Sequence, residues 1–82
     1  MEILLTPTAN KKLQKISPPD RIKVDKKLAN LLLNPLAGKL LRGEYKGLRS
    51  LRAWPLRIVY SINIKSCQII IVAVDYRQSV YK

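Results

Sequence analysis

Arg49, Arg52 and Arg57 stand close together in the strand-forming segment LRSLRAWPLRIVY, and a fourth arginine, Arg77, follows near the C-terminus. Guanidinium groups make forked, charge-assisted hydrogen bonds to phosphate oxygens. Several of them converging on one phosphorus can stabilise the extra negative charge of a pentacoordinate transition state. Lys39, Arg42 and Lys46 precede the arginines, with Glu44 alone opposing them up to Tyr60. This is the composition of a surface for a phosphate-rich partner, and Trp54 adds a ring on which a base could stack. A single exposed arginine more often decorates a solvated sheet face; the cluster is what argues for a site. Parity limits the cluster, because Arg49 and Arg52 point to opposite faces of a regular strand and line one site only if a bulge intervenes.

The whole chain bounds what such residues can do. Its 82 residues make one domain, 1–82, with little apolar area to spare, so most of the 48% hydrophobic residues must be core. Sixteen Lys and Arg against five Asp and Glu give a net charge of +11, whose self-repulsion a polyanionic or acidic partner would relieve. With no histidine and one cysteine, Cys67, the chain offers neither an imidazole base nor an ordinary zinc site, so no metal and no cofactor is expected. The lone cysteine allows no intrachain disulfide and suits a reducing compartment. No signal-like segment opens the chain and no apolar run is long enough to span a bilayer, so a soluble cytoplasmic protein without a membrane partner is expected.

The elements that must position the arginines follow from pattern. Glu2 to Thr6 reads as a first strand, and Asn10 to Ile16 as a short amphipathic helix capped by Thr8. Ser17, Pro18 and Asp20 give a strong helix start, and the second helix carries Ile22, Val24, Leu28, Leu31 and Leu32 until Asn34 and Pro35 end it. After an irregular stretch with Gly38 and Gly43 come three strands, Tyr45 to Leu51, Leu56 to Asn63 and Gln68 to Asp75. The short connections at Ala53 to Pro55 and at Asn63 to Ser66 predict an antiparallel meander. In the middle strand Arg57, Val59 and Ser61 share one face, while Ile58, Tyr60 and Ile62 share the face that suits the helical hairpin. The last strand is apolar on both faces, which predicts a central position. The fold class is α+β, with the N-terminal strand and two-helix hairpin packed on a three- to four-stranded antiparallel sheet.

The string GKLLRGEYKGLRSLRAWPLRIVYSI after Asn34 and Pro35, followed by VAVDYRQSVYK at the end, resembles the RelE/ParE superfamily of toxins from type II toxin-antitoxin pairs. The resemblance runs from the helical hairpin to the C-terminus. It is most specific in the arginine-bearing strand pair LRSLRAWPLRIVY and in the closing YRQSVY. It implies a fold similar to that of microbial ribonucleases and, in the RelE branch, metal-independent cleavage of messenger RNA in the ribosomal A site, by attack of a ribose 2′-hydroxyl on the adjacent phosphate. On that basis Arg57 matches the arginine that stabilises the scissile phosphate, Arg77 the arginine of the closing motif, Tyr81 the tyrosine that orients or activates the nucleophile, and Arg52 a basic residue of the preceding strand. Cations around Tyr81 would favour its phenolate over the phenol, whose reference pKa is about 10. Two departures stand out: Leu48 and Ser50 occupy positions where RelE members carry lysines, and Tyr76 stands where many carry histidine.

The expected function is therefore that of a toxin acting as a ribosome-dependent mRNA endoribonuclease, with a cognate antitoxin as protein partner. Arg57, Arg77, Tyr81 and Arg52 are the candidate catalytic residues, and Lys46, Arg49, Lys39, Arg42 and Trp54 the candidate RNA contacts. A ParE-like inhibitor of DNA gyrase shares the fold and explains the missing lysines and histidine, and a non-catalytic RNA-binding module is a third reading.

Overall fold

A computed structural model describes residues 1–76 of the chain. Strand β1 (Glu2–Leu5) leads into helix α1 (Pro7–Lys15) and helix α2 (Pro18–Leu33). The short strand β2 (Lys39–Leu40) and a single 3₁₀ turn at Gly43–Tyr45 follow, and then β3 (Arg49–Ala53), β4 (Leu56–Asn63) and β5 (Gln68–Tyr76). The strands form one five-stranded sheet in the order β1-β5-β4-β3-β2. Both helices cover one face of it.

The α+β class and the helical hairpin are as expected; the sheet is wider and mixed. β2 adds an edge antiparallel to β3, and β1 pairs parallel to β5. A parallel pair needs a crossover, and the helical hairpin between β1 and the meander supplies it. β3 begins four residues later than the pattern suggests, because Gly43 and Gly47 adopt φ of +68° and +89° and hold residues 43–47 as turns. The first helix starts earlier than expected: Thr6, not Thr8, is its N-cap, accepting from the Ala9 N–H at 3.2 Å, with Pro7 in the first turn. Ser17 caps α2 as expected, accepting from the Asp20 N–H at 3.4 Å.

On α2 the buried line is Val24, Leu28 and Leu31, a helical spacing, whereas Ile22 and Leu32 face solvent. Ile22 lies two residues from Val24, about 200° around the helix at 3.6 residues per turn, so both cannot face the sheet. The core joins Ala9, Leu13, Val24 and Leu31 to Leu56, Ile58, Tyr60, Ile69, Ile71 and Val74. Tyr60 closes one end of it. Its hydroxyl donates to the Pro35 carbonyl at 2.7 Å and accepts from the Gly38 N–H at 2.8 Å, pinning the chain between α2 and β2. Gly38 has no room for a side chain there, since an added Cβ would lie 2.6 Å from the Tyr60 ring and hydroxyl.

Candidate functional site: an arginine row on the open sheet face

The register of the central strands decides which cations meet. Arg52 stands directly opposite Arg57, and Ser50 opposite Val59, so all of these share the face away from the helices. Lys39, paired with Ser50, joins that face from the edge strand. Arg49 pairs with Tyr60 and falls on the helix-bearing face instead, where its Nη1 donates to the Gly38 carbonyl at 2.9 Å. No bulge interrupts β3 against β4, so the parity argument holds and Arg49 leaves the candidate site. Its role in the described residues is to tether the Gly38 loop.

A bulge does occur in β5. Val59 pairs with Ala73 but Tyr60 pairs with Ile71, so Val72 is the extra residue, and its carbonyl accepts from the Thr6 hydroxyl at 3.0 Å. The shift resets the parity of the strand. Ile69, Ile71 and Val74 all reach the core, and Asp75 lands opposite Arg57 on the open face. Without the extra residue Asp75 would share a face with Ile69 and Ile71. A row of Arg52, Arg57 and Asp75 thus crosses β3, β4 and β5, and sequence reasoning had not placed Asp75 in it. No glycine or proline marks Val72 as a bulge, so only the pairing itself reveals it.

The row has an electrostatic asymmetry. Asp75 is engaged by Lys12 of α1 at 3.0 Å and accepts from the Tyr76 N–H at 2.8 Å, while the Lys12 ammonium also lies 5.3 Å from the Tyr76 ring centre. Arg57, half-buried, donates through Nη1 to the Ser50 hydroxyl at 3.4 Å. Arg52 is exposed, and its side chain makes no ion pair or hydrogen bond among the described residues. Like charges directly opposite on neighbouring strands are destabilising by roughly 0.2–1 kcal/mol, and an anion seated between them reverses the sign. The arrangement suits a phosphate bridging the two guanidinium groups.

The remaining candidates distribute as follows. Arg42 and Lys46 flank the 3₁₀ turn and are exposed, and Trp54 is 59% exposed at the tip of the β3–β4 hairpin, where the peptide to Pro55 is cis. Arg77 and Tyr81 lie outside the described residues. Ser50, at a position where the resemblance led one to look for lysine, is only 6% exposed beneath the Arg57 side chain. Among the described residues no three His, Cys, Asp or Glu side chains come together as a ligand set for a metal, and no helix is long and apolar enough to cross a membrane.

The ParE toxin family of type II toxin-antitoxin systems matches this chain over residues 3–81. The chain belongs to that family. Among solved structures, the toxin-antitoxin complex RelBE2 from Mycobacterium tuberculosis contains a chain 32% identical to this one, with 93% of this chain and 96% of that chain covered and a TM-score of 0.85. The intact RelBE toxin-antitoxin complex from E. coli gives 26% identity, coverage of 90% and 93%, and a TM-score of 0.77. A YoeB/ParE toxin from Agrobacterium tumefaciens shares the fold, with a TM-score of 0.83 at 19% identity and coverage of 94% and 99%. No curated protein sequence matches. The chain is thus a toxin of the RelE/ParE superfamily of type II toxin-antitoxin systems.

Proposed function

We propose that this type II toxin is a ribosome-dependent endoribonuclease that cuts translated messenger RNA and is held inactive by a cognate antitoxin. The observation that carries the reading is the Arg52–Arg57 cross-strand pair, two guanidinium groups set side by side on the face of the sheet away from the helices. In the proposed step the ribose 2′-oxygen attacks the adjacent phosphorus, the O2′–P bond forms and the P–O5′ bond breaks. One proton leaves the 2′-hydroxyl and one reaches the departing 5′-oxygen. Arg57, held by Ser50, would bind the non-bridging oxygens as charge builds on them, and Arg52 would share that charge from β3. Tyr81 is proposed as the group that accepts or orients the 2′-hydroxyl proton, with Arg77 beside it. Lys39, Arg42 and Lys46 would hold the flanking backbone, and Trp54 would stack on a neighbouring base. Such a reaction needs no metal, and the compartment proposed is the cytoplasm, where translated RNA is found.

Two observations favour a second reading, inhibition of DNA gyrase through protein contacts. The matching family is described by its ParE toxin, and Ser50 is buried at a position where the resemblance to the RelE branch implies a lysine. Transcript-end mapping after induction separates the two. On the nuclease reading, wild-type chain creates new ends within translated codons, and Arg57→Ala and Arg52→Ala abolish or strongly reduce them. Unchanged transcript ends, together with gyrase-dependent DNA breaks, would move the assignment to the second reading.

A further inference from the structure

The row on the open face ends in a carboxylate, and that carboxylate has a cation of its own. Asp75 stands directly opposite Arg57 across β4 and β5. Directly opposed residues on antiparallel strands have Cβ atoms about 4.5–5.5 Å apart, within reach of a long side chain. A carboxylate there offers a guanidinium the same pair of acceptor oxygens that a phosphate does, and so competes with phosphate for the donors of Arg57. A site built for RNA should contain something that restrains this competitor.

Lys12 is placed to do so. Ala9 and Leu13 form the buried side of α1, and Lys12, three residues after Ala9 and so about 60° from it around the helix, stands at the border of that side. The Thr6 hydroxyl caps α1 and also bonds the Val72 carbonyl at the bulge, which fixes the start of the helix against β5. From there the Lys12 ammonium reaches Asp75 Oδ1 at 3.0 Å, beside a groove of about 290 Å³ that Lys11 and Lys15 also line. The same Oδ1 accepts from the Tyr76 N–H at 2.8 Å. Tyr76 in turn carries its ring 5.3 Å from the Lys12 ammonium and donates its hydroxyl to Asp20 of α2 at 3.4 Å, so the end of β5 is tied to both helices. The Lys12 and Asp75 side chains are only 32% and 36% exposed, which screens their pairing less than that of fully solvated ions.

We infer that Lys12 is a positioning residue for the phosphate site: by holding and neutralising Asp75 it keeps that carboxylate from competing with an RNA phosphate for Arg57. This role rests on the Arg52–Arg57 pair being the phosphate site of the proposed nuclease. It adds a residue of α1 that acts on the site through Asp75 and not by touching the phosphate. The effect of removing Lys12 must therefore depend on whether the Asp75 carboxylate is present.

A double-mutant cycle on the full-length chain tests it. Lys12→Gln, Asp75→Asn and the two combined are compared for binding to an uncleavable 2′-deoxy-substituted RNA oligonucleotide and for single-turnover cutting on programmed ribosomes. Lys15→Gln controls for the loss of one charge from the same groove, and Lys12→Arg keeps the charge. Thermal melting verifies that each variant folds; Lys12→Met replaces Lys12→Gln if that chain does not. Lys12→Gln is expected to weaken binding and slow cutting roughly tenfold, against about threefold or less for Lys15→Gln, with Lys12→Arg within about twofold of wild type. In the Asp75→Asn background Lys12→Gln should cost no more than Lys15→Gln does. A tenfold loss that persists in that background overturns the inference, because Lys12 would then contact RNA itself. So does a loss for Lys12→Gln no larger than that for Lys15→Gln. Failure of the nuclease reading registers separately, as no cutting by any chain while Arg57-dependent oligonucleotide binding still shows the coupling of Lys12 to Asp75. Oligonucleotide binding that Arg57→Ala leaves unchanged overturns the inference.

Discussion

Replacing Tyr60 by phenylalanine deletes one oxygen and two hydrogen bonds while keeping the ring in the core. The hydroxyl is fully buried, donates to Pro35 at 2.7 Å and accepts from the buried Gly38 N–H at 2.8 Å. An orphaned buried donor costs about 1–3 kcal/mol, and the lost bond to the half-exposed Pro35 carbonyl, which can turn to water, adds about 0.5–1 kcal/mol. A total of about 1.5–4 kcal/mol is expected. At about 4–8 °C per kcal/mol for a domain of this size, the melting temperature should fall by about 6–32 °C. Urea unfolding should show a lower midpoint with an unchanged slope, because the surface exposed on unfolding is the same. Gly38→Ala is expected to cost about 1–3 kcal/mol by overpacking against the same ring, and less in the Tyr60→Phe background, where one of the clashing atoms is gone. A loss below about 0.5 kcal/mol for Tyr60→Phe would refute the claim that this phenol pins the loop between α2 and β2.

Three further outcomes follow from the same geometry. Arg52→Ala should leave stability unchanged or raise it by up to about 1 kcal/mol by removing a like-charge pair, while lowering RNA affinity and reducing the slope of log K against log[salt] by about 0.7, read by chemical denaturation and by binding to single-stranded RNA. Asp75→Asn removes the carboxylate opposite Arg57. RNA binding should tighten by roughly threefold at low salt, and stability should change by less than about 1 kcal/mol because the Lys12–Asp75 pair is about one-third exposed. Ser17→Ala should cost about 0.5–1 kcal/mol in a thermal melt, the low end for an N-cap, since the capping bond is long at 3.4 Å.

Local rules were enough to place α2, the β3–β4 hairpin and the buried centre of the sheet. Ser17 and Pro18 start a helix by satisfying orphan N–H groups, and alternation in β4 sends Ile58 and Tyr60 inward and Arg57 outward. The same alternation puts Arg49 and Arg52 on opposite faces of β3. Long-range pairing was not legible in the same way. Nothing local in Glu2 to Leu5 says that it will lie parallel to β5, and nothing in Val72 announces the bulge that turns Asp75 toward Arg57. Thr6 and Thr8 both flank Pro7 and offer the same hydroxyl. Thr6 takes the cap because its oxygen also reaches the Val72 carbonyl, a contact between residues far apart in the chain.

The central claim is that Arg57, set opposite Arg52 on the open face, stabilises charge on a phosphate during RNA cleavage. Purified wild-type and Arg57→Ala chains, added to ribosomes stalled on a defined messenger RNA, test it directly through the rate at which the codon in the A site is cut. The account predicts cutting by the wild type and a loss of roughly 10²–10³-fold in rate for a folded Arg57→Ala chain, the magnitude expected when one transition-state donor is removed. Cleavage by the variant at the wild-type rate, or no cleavage by the wild type on any programmed ribosome, would contradict it.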